Sequence, residues 1–407
     1  MPIFAALKIC LLFMVLTALM LQECSSNWLY LGLMDITTSG PHTRDLRISG
    51  GQRGCHRIPC LNPPQMTMCH EYPNAMPSVS LGARTGVGEC IAQFQHERWN
   101  CTTVRVLNES EYDVFGATRH AANQETAFLY AITSAGLVAE ITRACSAGNL
   151  TECGCDRSYK HMGGVYSLNG TNHCRVEFYL MRLMGLVFVV VFGGGDRTGA
   201  QWQWGGCSDN VYYGMKFSKE FLDEYEKSRH KDQAKRVAAN HLMNLHNNEA
   251  GRQAVARLMT IGCRCHGVSG SCEFKTCWRA MSKFSVIGQL LKARWQNAVR
   301  IKRRAKRKLR RRQKSERKVP IRKDQLVYIH PSPTYCEPNP VLGILGTQGR
   351  ECNHTSYGSD SCSELCCGRG FNTRMERRIE RCQCKFVWCC YVKCKTCSKV
   401  VEVNTCK

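Results

Sequence analysis

Acidic charge is scarce in this chain: 32 Asp and Glu stand against 56 Lys and Arg in 407 residues, a formal charge of +24. Such an imbalance points to an anionic partner. Long apolar runs are missing as well. Ile9 to Leu21 is broken by Thr17, and Phe178 to Phe192 is interrupted by Arg182 and Gly185. Neither reaches the ~20 residues of a comfortable membrane span, so a multi-span membrane protein is excluded. With 43% apolar and 22% charged residues, general disorder is excluded too. A complete catalytic serine motif is also absent. Gly267-Val-Ser-Gly would need glycine at Ser271 to form a nucleophile elbow. Adjacent Cys265 and His266 say nothing about spatial pairing, and an enzyme is not expected.

Cysteine is abundant instead, with 28 residues. A cytosol keeps thiols reduced, so this density argues for an oxidising compartment. The N-terminus supplies the route: Lys8 precedes the apolar run, and Cys24, Ser25 and Ser26 follow it. Residues 1–26 read as a removed signal peptide, the alternative being a retained signal anchor. Asn100, Asn108, Asn149, Asn169 and Asn353 each begin an N-x-[ST] sequon. Asn100, Asn108, Asn149 and Asn353 are the expected glycosylation sites; Asn169 lies in a segment questioned below.

The length allows two or three domains. Residues 27–100 read as loop-rich, punctuated by Pro59, Pro63, Pro64, Pro73 and Pro77. Apolar spacing predicts helices over 124–144, about 233–259 and 284–299. From Lys302 to Lys318 twelve residues are Lys or Arg and one is acidic, Glu316, a local charge of +11. Twelve cysteines crowd the final 72 residues, which reads as a disulfide scaffold with little core of its own. The expected class is α+β and disulfide-rich, with a helical domain over 27–299, a basic linker over 300–320 and a cystine-rich domain over 321–407. The segment 162–200 fits poorly, because an exposed apolar run of that length is an aggregation hazard.

Two cysteine clusters share one spacing. Cys263 and Cys265 precede Cys272 and Cys277; Cys382 and Cys384 precede Cys394 and Cys397. Residues i and i+2 of a strand share a face. Nested pairing, Cys265–Cys272 inside Cys263–Cys277 and Cys384–Cys394 inside Cys382–Cys397, would therefore staple two hairpins. Zinc competes for such thiols, but C-x-C is too close for the usual knuckle. One tip, His266 to Ser271, is small and flexible; the other, Lys385 to Lys393, carries Phe386, Trp388, Cys389, Cys390 and Val392. Phe386 and Trp388 are either buried in a core or form an exposed contact hot spot.

Cys263-Arg-Cys-His-Gly-Val-Ser-Gly-Ser-Cys-Glu-Phe-Lys-Thr-Cys-Trp278 resembles the signature of the Wnt family of secreted signalling glycoproteins. So do His96-Glu-Arg-Trp-Asn-Cys101, Glu125-Thr-Ala-Phe128, Trp204-Gly-Gly-Cys-Ser-Asp209 and Asn244-Leu-His-Asn-Asn-Glu-Ala-Gly-Arg252. Cys366-Cys-Gly-Arg-Gly-Phe-Asn372 and Arg381-Cys-Gln-Cys-Lys-Phe-Val-Trp-Cys-Cys390 complete the set. The resemblance covers residues 27–160 and 201–407.

It implies a helical N-terminal domain and a cytokine-like, cystine-rich C-terminal domain. These would grip a Frizzled cysteine-rich domain between a thumb, 263–277, and an index finger, 382–397. It implies a palmitoleoyl ester on Ser271, made by the acyltransferase Porcupine, and receptor contacts through Ser271, Phe386, Trp388, Cys389, Cys390 and Val392. It also implies an LRP5/6-type co-receptor and a carrier during export, with no cofactor or metal beyond the covalent lipid. By the family's pairing, further bridges would join Cys55–Cys69, Cys90–Cys101, Cys145–Cys153, Cys155–Cys207, Cys336–Cys367, Cys352–Cys362, Cys366–Cys406 and the vicinal Cys389–Cys390. Cys60 and Cys174 are left over once the two leader cysteines are set aside. Relatives pass from the Cys155 region to Trp204 in a shorter loop, so residues 162–200 read as a non-native insertion.

The basic run has several readings. It is a solvated linker, or a site for heparan sulfate through Lys306, Arg307, Lys308, Arg310, Arg311 and Arg312. Arg304-Ala-Lys-Arg307 also resembles a furin-type site. Nucleic acid uses the same electrostatics, but secretion removes it as a target. The competing function is a secreted heparan-sulfate-binding matrix protein without receptor activation.

Overall fold

The computed structural model describes residues 28–33, 55, 58, 61–101, 115–156, 180–183, 186–189, 203–204, 206–232, 237–272, 275–303, 308–388 and 391–407. The signal segment lies outside these residues, as do Asn108, Asn169, Cys60, Cys174, Lys306, Arg307 and the Cys389–Cys390 pair. Within 162–200, only two short paired strands are described, β1 (Leu180–Leu183) and β2 (Leu186–Val189).

Within the stretch expected to be loop-rich, two segments are instead helices, α1 (Pro63–Glu71) and α2 (Met76–Phe94), while most of 34–60 lies outside the described residues. Proline misled because it punctuates helix starts as well as loops. Pro63 and Pro64 occupy the first helical turn, where their missing N–H has no intrahelical acceptor to lose. Asn62 and Gln65 close a reciprocal capping box, with the Gln65 N–H donating to Asn62 Oδ1 at 3.1 Å and the Asn62 N–H to Gln65 Oε1 at 3.2 Å. Pro77 sits in the opening turn of α2 in the same way.

The expected helix at 124 is α3 (Gln124–Ser146), and it is buried nearly all round because it runs through the middle of a helical unit. Its N-terminus is capped by Asn123, whose Oδ1 accepts the Thr126 N–H at 2.9 Å. The backbones of α2 and α3 touch. A Cβ on Gly136 would lie 2.5 Å from the Gly82 carbonyl oxygen and 2.9 Å from the Gly86 nitrogen, so only glycine permits this crossing. Two further helices, α4 (Val211–Asp232) and α5 (Val237–Arg257), complete the packing around α3, and α6 (Phe284–Gln296) covers its start. The α4 helix has no counterpart among the expected elements.

Between α4 and α5, Arg252 is fully buried and donates to Asp223 at 2.7 Å and to Glu249 at 2.9 Å. Burial pushes the Asp223 carboxyl upward, while the guanidinium beside it pulls the other way. Removing one partner would strand a buried charge, at a cost of about 3–5 kcal/mol.

The chain then enters the basic run without leaving this unit. β6 (Val299–Arg300) pairs in parallel with β7 (Val327–Tyr328), and Ile301 is buried with Val327, Ile329, Ala239 and Met243. The Arg312 N–H donates to the Arg300 carbonyl at 2.9 Å, folding the run back on itself. The stretch expected as a linker is therefore anchored at its start, with Lys308, Arg310 and Arg312 exposed and the half-buried Arg311 paired to Glu316 at 3.3 Å.

Beyond residue 335 the architecture changes to a three-stranded antiparallel sheet in the order β8 (Glu351–Cys352), β10 (Tyr391–Cys406), β9 (Phe371–Val387). A one-turn helix, α7 (Cys362–Leu365), packs at its base. The core here is Cys362, Leu365, Cys366 and Cys406, with Cys352 against them. Among the described residues, no helix is long and apolar enough to cross a membrane.

Candidate functional site

Two hairpins project from this frame, and each is built by the same device. In the first, β4 (Thr260–Cys265) pairs antiparallel with β5 (Lys275–Ala280), and Cys263 stands directly opposite Cys277. The bridges Cys263–Cys277 and Cys265–Cys272 staple it. Its root is clamped by the Trp204–Asp209 segment. β3 (Gln203–Trp204) pairs in parallel with β5, and Trp278 packs on the Gly206 backbone. Ser208 Oγ accepts the Arg279 N–H at 3.1 Å, and Asp209 Oδ2 accepts the Met281 N–H at 2.8 Å. The Cys155–Cys207 bridge ties that clamp back to the residues after α3.

The tip of this hairpin is a single tight turn. The Gly267 N–H donates to the Ser271 carbonyl at 2.8 Å, and the Gly270 N–H returns to the Gly267 carbonyl at 2.9 Å. Ser269 and Gly270 both take positive φ, +56° and +79°, which glycine adopts without strain. A side chain at Gly267 would collide with the Ser271 hydroxyl, since its Cβ would lie 1.9 Å from Oγ. The glycine therefore keeps the space around that hydroxyl free. Ser271 is exposed, and neighbouring Val268 is 86% exposed, so nothing among the described residues covers the turn.

The second hairpin is longer: β9 and β10 run side by side from Phe371 and Cys406 to Val387 and Tyr391. Cys382–Cys397 and Cys384–Cys394 staple it near its end. Its register slips by one residue between Lys393 and Lys395, at Gln383, which has φ +48°, as a β-bulge requires. Phe386 is 69% and Trp388 90% exposed, with Tyr391 and Val392 exposed beside them. Of the two readings of these aromatics, the structure gives the exposed one.

Beyond the four staples, seven bridges stand among the described residues, Cys155–Cys207 included: the others are Cys55–Cys69, Cys90–Cys101, Cys145–Cys153, Cys336–Cys367, Cys352–Cys362 and Cys366–Cys406. The sulfurs of Cys352, Cys366 and Cys406 lie within 4.8 Å of one another. All three are bridged, so none offers the thiolate that a zinc site needs.

A scan against family models matches the wnt family over residues 57–407. The chain belongs to the Wnt family. Among curated Wnt proteins, it is 45% identical to Protein Wnt-16 of Bos taurus over 98% of this chain and 97% of the relative. It is 40% identical to Protein Wnt-5b of Xenopus laevis over 89% of each. A solved structure, human WLS in complex with WNT8A, matches with a TM-score of 0.54 and 35% identity, covering 83% of this chain and 95% of that one. Wnt proteins are secreted, disulfide-rich signalling ligands and not enzymes.

The Wnt motifs take on physical roles in this frame. Asn247 holds β7 by both polar ends of its amide, accepting the Val327 N–H at 2.9 Å and donating to the Val327 carbonyl at 3.0 Å. Asn248 and Arg252 hold Asp223. Arg98, from His96–Cys101, reaches the second unit, donating to the Glu364 carbonyl at 2.9 Å and its carboxylate at 3.1 Å. Arg350 answers from the other side, donating to the carbonyls of Arg98 and Gln95 at 2.9 and 3.0 Å. The sequence reading named none of Ser208, Asp209, Arg98 or Arg350 individually. The first three stood within the motifs, but a polar residue in a motif does not reveal whether it binds a ligand or the chain itself; Arg350 lies in none of the motifs.

Of the sequons, Asn149 and Asn353 are exposed and Asn100 is half-buried. Asn353 Oδ1 accepts the Thr355 N–H and hydroxyl at 3.0 and 2.8 Å, a turn within the sequon.

Proposed function

We propose that this Wnt chain is a palmitoleoylated ligand that grips a Frizzled cysteine-rich domain between its two hairpins, with an LRP5/6-type co-receptor engaged elsewhere. The carrying observation is the uncovered tip at Ser271. Its hydroxyl sits on a double-stapled hairpin, in a turn of small residues that an acyltransferase of the Porcupine type could take into its active site. A sixteen-carbon chain offers about 10 kcal/mol if fully buried in a receptor groove, at roughly 0.8 kcal/mol per CH₂. Association entropy makes this an upper bound. Phe386, Trp388, Val392 and the Cys389–Cys390 pair would supply the opposing contact, where exposed aromatics serve as anchors. The structural match to a Wnt held by WLS supports engagement of a membrane carrier during export.

Heparan sulfate is the proposed matrix partner, through Lys306, Arg307, Lys308, Arg310, Arg311 and Arg312. Asn100, Asn108, Asn149 and Asn353 are the proposed glycosylation sites. Mass spectrometry of a non-reducing digest of the secreted protein tests the reading. A monounsaturated sixteen-carbon ester on the Cys263–Cys277 peptide, lost together with signalling in Ser271→Ala, is the expected result. An unmodified Ser271 in Porcupine-competent cells would favour instead a heparan-sulfate-binding matrix protein without receptor activation.

A further inference from the structure

The end of the β9–β10 ribbon is amphipathic along its length. At the tip stand Trp388 and the opposed pair Val387 and Tyr391; Phe386 and Val392 pair one residue back, and Lys385 and Lys393 pair behind them. Successive pairs alternate faces, so Phe386 and Val392 share one face, and Lys385 and Lys393 share the other with Val387 and Tyr391. Lys395 continues the basic face one step further down β10.

Among the described residues, the lysines have no counter-charge. Among the described residues, the ribbon's ion pairs lie lower down: Arg374–Glu376, Arg378–Glu351, Lys399–Glu380 and His354–Glu402. Lys385, Lys393 and Lys395 form none. Lys385 and Lys393 face each other directly, an arrangement that repels. An anionic surface at the tip would relieve that repulsion.

We infer that this fingertip is a lipid-interface anchor, inserting Trp388, Phe386, Tyr391 and Val392 at the headgroup boundary of an anionic bilayer while Lys385, Lys393 and Lys395 contact lipid phosphates. The dimensions agree. Two residues of strand set the lysine pair about 7 Å behind the Val387–Tyr391 pair. Interfacial apolar groups bury about 5–10 Å deep, so the ammonium groups fall at headgroup level when the aromatics are immersed. Trp and Tyr, with one apolar and one polar side, suit that boundary. A single acyl chain gives only marginal membrane binding, and a second apolar or polybasic element is what makes it durable. The fingertip supplies such an element and holds it on the surface proposed to meet the receptor, so lipid and receptor would compete for it.

The test uses the secreted full-length Ser271→Ala chain, which lacks the hydroxyl proposed to carry the lipid, so its outcome is independent of the lipidation reading. Flotation with phosphatidylcholine vesicles, with and without phosphatidylserine, is compared for that chain and for two variants on it. Phe386→Ala with Trp388→Ala should reduce partition by about tenfold or more. Lys385→Gln with Lys393→Gln should reduce it about fivefold for each charge removed, and high salt should reproduce that loss. The positions are exposed, and unchanged bridges in a non-reducing digest verify folding. Undiminished binding in both variants would assign any lipid affinity to the basic run at 302–318 and overturn the inference. Equal binding with and without phosphatidylserine would also overturn it, as would no binding by the parent chain.

Discussion

Ile132 in α3 and Ile379 in β9 are the same residue in opposite surroundings. The first is fully buried among the helices; the second stands on an open ribbon, 69% exposed. The helical unit is held by three buried clusters that run along α2, α3, α4, α5 and α6. The C-terminal unit buries one leucine among bridged cysteines and carries Met375, Ile379, Phe386, Trp388 and Val400 in the open. Apolar burial holds the first unit in place, and covalent cross-links hold the second. A ribbon that needs no core can leave its side chains free for a partner.

Reduction should break this comparison most visibly. A mild thiol reductant should abolish amide protection across 336–406 while leaving the middle of α3 protected, as followed by hydrogen exchange. Each lost bridge removes about 2–5 kcal/mol from a unit with almost no other source of stability. Equal loss of protection in both units would contradict the division. Next, Ile132→Ala should cost about 2–5 kcal/mol in urea unfolding, whereas Ile379→Ala should change stability by no more than about 0.5 kcal/mol. A large loss at Ile379 would mean the ribbon is packed in solution.

Smaller effects sharpen the join between the units. Arg98 and Glu364 are both exposed enough to be solvent-screened. A double-mutant cycle of Arg98→Ala and Glu364→Ala should give a coupling of only about 0.2–1 kcal/mol. A much larger coupling would make this pair a principal tie between the hairpin-bearing halves. The smallest effect belongs to His246, which is pushed below its ordinary value of 6.5 by burial. Its Nε2–H donates to the Gln325 carbonyl at 2.8 Å, and Glu249 and Asp324 nearby counteract part of the shift. Below pH 6.5 the unfolded chain takes up a proton that the folded chain resists, so acidification erodes stability in this window. His246→Gln should flatten that slope in unfolding midpoints taken from pH 7 to 5.

The two nested staples were legible from spacing, because alternate residues of a strand must share a face. So were α3 and α6, whose apolar positions recur at helical period. α1 was hidden by its prolines, although Asn62-Pro-Pro-Gln65 carries the capping signal that marks a helix start. α4 escaped although Phe217, Phe221 and Leu222 have helical spacing; charged residues over the same stretch masked the pattern. In the basic run, local charge suggested a free linker, but buried Ile301 and strand β7 hold its beginning to the helices.

Sequence by itself determined the compartment, the cysteine pattern of the two hairpins and the chemical contrast between their tips, because composition and i, i+2 spacing are local properties. Tertiary structure alone decided that Trp388 is exposed, that Asp223 and Arg252 meet, and that Ser208 and Asp209 clamp the root of the first hairpin. Burial and pairing depend on which distant segments arrive at the same place, and the packing around α3 sets that arrangement.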